Sequence, residues 1–152
     1  MYAACRLLLI GDGMDRERLQ QRLRIAGLDQ RVTLAGSVPP AEIPVYYRLG
    51  DVFLFASKSE TQGMVIVEAM AAGLPVVTVR SSGVDDVVRE GETGYKTREN
   101  IQEWCAKLKL LIGDEALRRR LGDNARRYAA DYDLGKVAGN VIAIYAHVLA
   151  AR

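Results

Sequence analysis

Short apolar runs alternate with helical stretches over residues 5–79, and this alternation limits the possible folds more than any other feature of the sequence. The apolar runs CRLLLIG, RVTLAG, DVFLFAS and PVVTV have the length of buried strands. The helical stretches between them are MDRERLQQRLRIAG, PAEIPVYYRLG and GMVIVEAMAAG. This order predicts βαβ units, and hence a Rossmann-like α/β fold with a parallel sheet and flanking helices.

Two of the helical stretches carry conflicting signals. The run MVIV, at 64–67, has the composition of a strand, but EAMAAG continues it with strong helix formers and a glycine stop, so we predict a helix. Because this helix is apolar almost all round, we expect it to lie buried against the sheet. A short helix is expected after Pro39 and Pro40, with Pro44 confined to its first turn or kinking it.

The pattern changes from Ser81 onward. A short helix and a turn around EGETG, at 90–94, are expected first. Three helices then follow, over RENIQEWCAKLKLLIG, DEALRRRLGDNARRYAADY and DLGKVAGNVIAIYAHVLAAR, with Asp114 and Asp133 at helix boundaries as caps. The sequence therefore predicts a helical C-terminal part.

Composition excludes several classes of protein. The chain has 152 residues, 49% of them hydrophobic and 26% charged, which fits one globular domain over 1–152. A net charge of +2 is too small to indicate a nucleic-acid partner. No apolar run reaches the ~18 residues of a membrane span. The two cysteines form no CxxC motif, so we predict neither a metal site nor a disulfide framework, and a cytoplasmic location fits free thiols.

Two acids flank a glycine in SETQGMVIVEAM, at 59–70. One interpretation makes Glu60 a loop acid and Glu68 a capping or pairing acid on a partly exposed helix. The other begins with Gly63, which places the amides of Met64 and Val65 at a helix N-terminus, where the dipole and the unpaired N–H groups favour a phosphate. Glu60 would then stand beside the anion, and Glu68 could accept hydrogen bonds from sugar or ribose hydroxyls. Both interpretations stay open on the residues alone.

Two further loops follow predicted strands. Gly11 and Gly13 belong to GDG, but the dinucleotide fingerprint requires a third glycine where Arg16 stands, so a structural turn is the simpler interpretation. Ser37 and Val38, in GSVPP, could present backbone groups to a flat base, although an ordinary loop would look the same.

Four ordered motifs together resemble the C-terminal donor-binding domain of retaining glycosyltransferases with the GT-B fold, family 4 (glycosyl transferases group 1). SETQGMVIVEAMAAGLPVV resembles the family's Glu-x7-Glu signature. LLLIGDGMDRERLQ is similar to its strand–GDG–helix segment, and DQRVTLAGSVPPAEIPVYYRLGDVFLFAS to its "RV…G.V…..Y..aDvfl.pS" pattern. SGVDDVVREGETGY is similar to "GG..E.v..g.tG". The motifs that match the family extend along the chain to about Tyr95.

The resemblance implies a role for each matching residue. Glu60, the first acid, would contact the donor sugar near the reaction centre as the catalytic residue. Glu68, the second acid, would bind the ribose hydroxyls. The backbone amides of Gly63, Met64 and Val65 would hold the sugar and the diphosphate.

The remaining site residues come from the first two loops. Ser37 and Val38 would contact the base through the backbone, and the turn at Gly11 and Gly13 would line the same cleft. The resemblance implies a nucleotide-diphosphate sugar as donor substrate, no separate cofactor and no metal. The parent enzyme would be a glycosyltransferase of hexosyltransferase type, in carbohydrate or glycolipid biosynthesis.

The family's phosphate-binding Arg and Lys belong to a first strand and loop that should lie upstream of Cys5. We therefore expect a single nucleotide-sugar-binding domain that lacks its first strand and the N-terminal acceptor domain of the same parent protein. Such a chain should be inactive by itself. Alternatives are a non-catalytic nucleotide-binding or structural fragment, or another GT-B enzyme such as a nucleotide-sugar epimerase. A membrane surface is a further possible partner if the acceptor is a lipid.

Overall fold

The computed structural model describes residues 5–59 and 61–150. The chain divides into two compact units, Met1–Ile43 and Pro44–Arg152. In the first unit, strand β1 (Leu7–Ile10) leads to helix α1 (Arg16–Ile25) and then to strand β2 (Val32–Gly36). The two strands pair in parallel, with Leu7 opposite Val32 and Leu9 opposite Leu34. This unit is therefore one βαβ motif, as the alternation predicts.

The second unit contains a three-stranded parallel sheet. Its strands β3 (Phe53–Phe55), β4 (Val76–Val79) and β5 (Gly94–Thr97) lie in the order β3-β4-β5. Helix α2 (Ile43–Arg48) precedes β3, helix α3 (Met64–Ala71) connects β3 to β4, and the short helix α4 (Ser82–Asp85) follows β4. Because all three strands are parallel, their carboxyl ends lie at one edge of the sheet.

The core of this unit lies on both faces of β4. Val76 and Val77 are neighbours on the strand, point to opposite faces and are both fully buried. One face packs against α3 and α6 in a cluster made of Ile66, Val67, Met70, Val76, Val84, Val87, Val88, Ala125 and Ala129. The other face carries a cluster of Val77, Leu111 and Leu121, with Trp104 packed against it. Helices on both faces of a parallel sheet confirm the predicted α/β fold class.

The predicted helical C-terminal part is confirmed. It consists of α5 (Ile101–Gly113), α6 (Glu115–Ala129), a 3-10 turn (Ala130–Tyr132) and α7 (Leu134–Ala150). Asp114 caps α6, because its Oδ1 accepts a hydrogen bond from the Leu117 amide at 2.8 Å, as predicted. None of the helices in residues 5–59 and 61–150 is both long enough and apolar enough to cross a membrane.

The expected turn around EGETG is present at residues 91–93, and it leads directly into β5, a strand that the sequence analysis did not predict. Helix α3 exists as predicted, but it is buried on one face only. Ile66, Val67, Ala69 and Met70 are buried, whereas the opposite face, which includes Glu68, is exposed. The single domain expected over 1–152 stays a prediction.

Candidate functional site

Helix α3 begins at the carboxyl edge of the sheet, with Gly63 as its N-cap in a left-handed conformation (φ +66°). The first hydrogen bonds of the helix run from the amides of Ile66 and Val67 to the Gly63 carbonyl, at 2.9 and 3.1 Å. The amides of Met64 and Val65 make no hydrogen bond to any residue that the structure describes. Two such N–H groups at the positive end of a helix dipole form a potential anion-binding site.

Gly63 is also required by close packing. A Cβ atom at this position would stand 2.7 Å from the carbonyl oxygen of Gly83 and 3.1 Å from Cγ2 of Val87. The start of α3 therefore lies against the segment that contains α4. The glycine serves two purposes here, since it permits the positive φ and allows this close approach.

Glu68 lies one turn further along α3, on the exposed face of the helix. The hydroxyl of Tyr47, on α2, donates a hydrogen bond to Glu68 Oε2 at 3.1 Å and is 3.2 Å from the Val65 carbonyl oxygen. The Glu68 side chain therefore has a polar partner from outside its own helix. Its Oε1 accepts no hydrogen bond within the described part of the chain.

The phenol of Tyr47 is held in its neutral form. Partial burial of the ring, the negative charge of Glu68 and the hydrogen bond to its carboxylate together raise the pKa of Tyr47 above its ordinary value. Tyr132, elsewhere in this unit, has its pKa raised to about 12 by its hydrogen bond with Tyr128 and by burial. A neutral phenol keeps the proton that it donates to Glu68.

This shift predicts a loss of stability in alkali. A tyrosine in the unfolded chain loses its proton near pH 10, whereas folded Tyr47 keeps it to a higher pH. The resulting stability is fully present below about pH 10 and is lost as the pH rises toward the folded pKa. We expect the free energy of unfolding to fall less in the Tyr47→Phe variant than in the unmodified chain when the pH is raised from about 9 to about 11. The difference between the two decreases should be up to ~1 kcal/mol.

The measurement is urea unfolding at both pH values, followed by the fluorescence of Trp104, the one tryptophan of the sequence. Tyr132 titrates in both proteins, so its contribution cancels in the comparison. Equal losses in the two proteins would show that the Tyr47 phenol does not have a raised pKa.

A second contact joins two loops at the same edge of this sheet. Lys58 follows β3 and Glu99 follows β5, and the Lys58 ammonium binds both carboxylate oxygens of Glu99, at 2.8 and 2.9 Å. Both side chains are exposed, so the ion pair contributes little to stability.

Glu60, the predicted catalytic acid, lies outside the described residues.

The first unit holds the other predicted site residues. Gly11 follows β1, with φ +127°, and its amide donates a hydrogen bond to the Gly36 carbonyl at 2.8 Å. Gly13 is in the same turn, and its amide donates to Asp12 Oδ1 at 2.9 Å. Ser37 and Val38 directly follow Gly36, the last residue of β2. The structure thus brings the GDG turn beside the start of the GSVPP loop.

The predicted residues therefore form two groups. Gly63, Met64, Val65 and Glu68 lie together on α3 in one unit, and Gly11, Gly13, Ser37 and Val38 lie together in the other. Residues 5–59 and 61–150 contain no group of three or more His, Cys, Asp or Glu side chains that could hold a metal ion.

Tyr47 is the site residue that the sequence argument missed. Its signal was present, because Tyr47 stands four residues before Asp51 and is the tyrosine of the "Y..aDvfl.pS" pattern. The local sequence carries no signal that connects it to Glu68, 21 positions away.

Known proteins resemble this chain over most of its length. The family model described as glycosyl transferases group 1 matches residues 1–128. The sulfoquinovosyl transferase SQD2 of Arabidopsis thaliana is 37% identical over 132 residues, which are 84% of this chain and 25% of that protein. The chain thus spans about a quarter of the length of this relative.

Solved structures agree with this assignment. Anabaena HepE, in complex with UDP, superposes with a TM-score of 0.80 at 28% identity, over 97% of this chain and 41% of HepE. The C-terminal domain of a group 1 glycosyl transferase, LpcC from Francisella tularensis, superposes with a TM-score of 0.76 at 28% identity, over 85% of this chain and 70% of that domain. The chain therefore belongs to the family of glycosyl transferases group 1.

Proposed function

We propose that this chain is the donor-binding part of a retaining glycosyltransferase, which binds a nucleotide-diphosphate sugar for transfer to an acceptor. The observation that carries the proposal is the start of α3, where Gly63 caps a helix and the Met64 and Val65 amides stand at its positive end. A diphosphate is the group that such a helix end binds well. The UDP complex of HepE, at 28% identity, supports a nucleotide-sugar donor.

Each residue of the α3 group has a task in this proposal. The two amides and the helix dipole bind the diphosphate and stabilise the charge that develops on it as the sugar leaves. Glu68 accepts hydrogen bonds from the ribose hydroxyls, and Glu60 acts at the donor sugar. The contacts to the base predicted for Ser37 and Val38, and the roles predicted for Gly11 and Gly13, stay predictions. No metal has a part in this scheme, in which the helix dipole and the backbone amides offset part of the phosphate charge.

The acceptor belongs to another part of the parent protein. SQD2 is about four times longer than the segment matched here, which leaves room for an acceptor-binding domain in a protein of that length. We therefore propose that transfer requires that domain and that the chain alone transfers little or no sugar.

The test is a titration of the chain with UDP, GDP and ADP, followed by calorimetry or by NMR up to millimolar nucleotide. We expect one of the three to bind. Replacing Glu68 with alanine should weaken that binding about tenfold or more, because hydrogen bonds to a carboxylate contribute ~1.5–3 kcal/mol. Asp123→Ala removes an exposed carboxylate from α6 and serves as the matched control.

Three outcomes would count against the proposal. Binding of no nucleotide would contradict a donor site in this chain. Equal weakening by Glu68→Ala and Asp123→Ala would assign the effect to net charge alone. Nucleotide binding without sugar transfer by the full-length protein would favour the alternative of a non-catalytic module.

A further inference from the structure

We propose that Tyr47 is a positioning residue of the donor site, whose hydroxyl holds the Glu68 carboxylate so that Oε1 faces the ribose hydroxyls. The inference rests on the proposed function, because it gives Tyr47 a task only if Glu68 binds a ribose. Three sets of observations support it: the contacts of the Tyr47 ring, the hydrogen bonds of its hydroxyl and the residues around Glu68 on α3.

The ring of Tyr47 is fixed by the sheet. It packs edge-on against Phe53 of β3, with the ring centroids 5.7 Å apart and the planes at 73°. Phe53 in turn stacks on Phe55 two residues further along the strand, at 6.2 Å. Two aromatic contacts in series thus connect the half-buried Tyr47 ring to a strand of the sheet, so its hydroxyl has a defined position.

The hydroxyl lies between two acceptors on α3. Glu68 Oε2 is 3.1 Å away and the Val65 carbonyl oxygen 3.2 Å away. A phenol has one proton to donate, and a carboxylate is the stronger acceptor of the two. The hydrogen bond to Oε2 therefore dominates, while the nearby carbonyl keeps the hydroxyl close to the helix.

Glu68 has no such partner on its own helix. The positions three and four residues away, on α3 and at its C-cap, are apolar: Met64, Val65, Ala71 and Ala72. No lysine or arginine can therefore hold this exposed carboxylate by the usual helical spacing. Without Tyr47, the side chain would sample several rotamers, and a ligand would have to order it at an entropic cost.

The geometry leaves one oxygen for a ligand. Tyr47 occupies Oε2, and Oε1 accepts no hydrogen bond from the residues in 5–59 and 61–150. An ordered carboxylate with one unoccupied oxygen is suited to accept from a ribose hydroxyl, and the order is established before the nucleotide arrives. Tyr47 thus acts through Glu68 and does not need to contact the nucleotide.

The test compares Tyr47→Phe with Tyr46→Phe, which removes a hydroxyl from the preceding residue of the same helix. The titrants are UDP and 2′,3′-dideoxy-UDP, which lacks the hydroxyls that Glu68 would bind. We expect Tyr47→Phe to weaken UDP binding by about three- to tenfold, through the lost preorganisation of one side chain. Binding of the dideoxy nucleotide should be unchanged, and Tyr46→Phe should affect neither.

A double-variant cycle completes the test. In a Glu68→Ala background, Tyr47→Phe should have no further effect on UDP binding, because the group that it positions is gone. Equal weakening of UDP and dideoxy-UDP binding, with a lowered melting temperature, would show that Tyr47 is only structural and would overturn the inference.

The two proposals fail in different ways. If the unmodified chain binds no nucleotide, the proposed function fails and the inference fails with it. If the unmodified chain binds UDP and Glu68→Ala weakens that binding, but Tyr47→Phe binds as tightly as the unmodified chain, only the inference is overturned.

Discussion

Replacing Gly63 with alanine is expected to abolish nucleotide binding and to lower the free energy of unfolding by about 2–4 kcal/mol. The added Cβ would stand 2.7 Å from the Gly83 carbonyl oxygen and 3.1 Å from Val87 Cγ2, so the start of α3 must move away from the α4 segment. The left-handed φ of +66° costs an L-residue about a further 1–2 kcal/mol. Because the same peptide orients the Met64 and Val65 amides, a shift there displaces the proposed phosphate site.

Gly91→Ala provides the matched control. Gly91 has nearly the same φ, +71°, but a Cβ there would meet no atom within 4 Å. Its substitution should therefore show the cost of the backbone conformation alone, about 1–2 kcal/mol, with nucleotide binding retained. The difference between the two variants in urea unfolding isolates the close contact at Gly63. Equal destabilisation of the two variants would mean that the structure adjusts to the added methyl group at Gly63 at little cost. If Gly63→Ala still binds nucleotide, Gly63 is not needed for the phosphate site.

The beginning of α3 was predictable from the sequence because its signals are local. Gly63 after polar loop residues, the strong helix formers of EAMAA and then Gly73 define the helix within a dozen positions, although MVIV by itself has the composition of a strand. The exposure of Glu68 was not predictable in the same way. Periodicity cannot identify the exposed face of a helix whose residues are nearly all apolar, and the packing of α6 against the opposite face decides it.

The contact between Tyr47 and Glu68 is also beyond local sequence reasoning. The two residues are 21 positions apart, and they belong to the helices that precede and follow β3 in the chain, α2 and α3. Their approach depends on how those helices pack, which no spacing rule for a single helix or strand encodes. The family pattern marks the tyrosine but not its partner.

Strand β5 shows how tertiary pairing overrides local preference. GYKT has only four residues and follows a turn, and it combines the strand-favouring Tyr95 and Thr97 with a glycine and a lysine, so its local strand signal is weak. It becomes a strand because β4 offers an unpaired edge, along which Val76 pairs with Gly94 and Val79 with Thr97. Thr93 and Thr97 are buried despite their hydroxyls, each of which makes a hydrogen bond.

Replacing Gly94 with alanine is expected to lower the free energy of unfolding by about 3 kcal/mol or more, at the upper end for overpacking. The added Cβ would collide with the Val76 carbonyl oxygen and stand 2.6 Å from Val76 Cγ2. Val76 is fully buried at the centre of the sheet and in the main core cluster, so it cannot yield without disturbing α3 and α6. The strand must separate from β4 instead, and the sheet loses its third member.

The melting temperature should therefore fall by about 6–12 °C, at 2–4 °C per kcal/mol for a chain of this length. Trp104 reports the event, because it packs against the cluster that contains Val77, on the other face of β4. Gly113→Ala is the control: a Cβ there meets nothing within 4 Å, and alanine at the end of α5 should be neutral or stabilising by up to ~1 kcal/mol. A Gly94→Ala variant as stable as Gly113→Ala would show that β5 contributes little to the unit. The sheet would then depend on β3 and β4 alone. The occurrence of Gly94 in the family pattern would then have a cause other than packing.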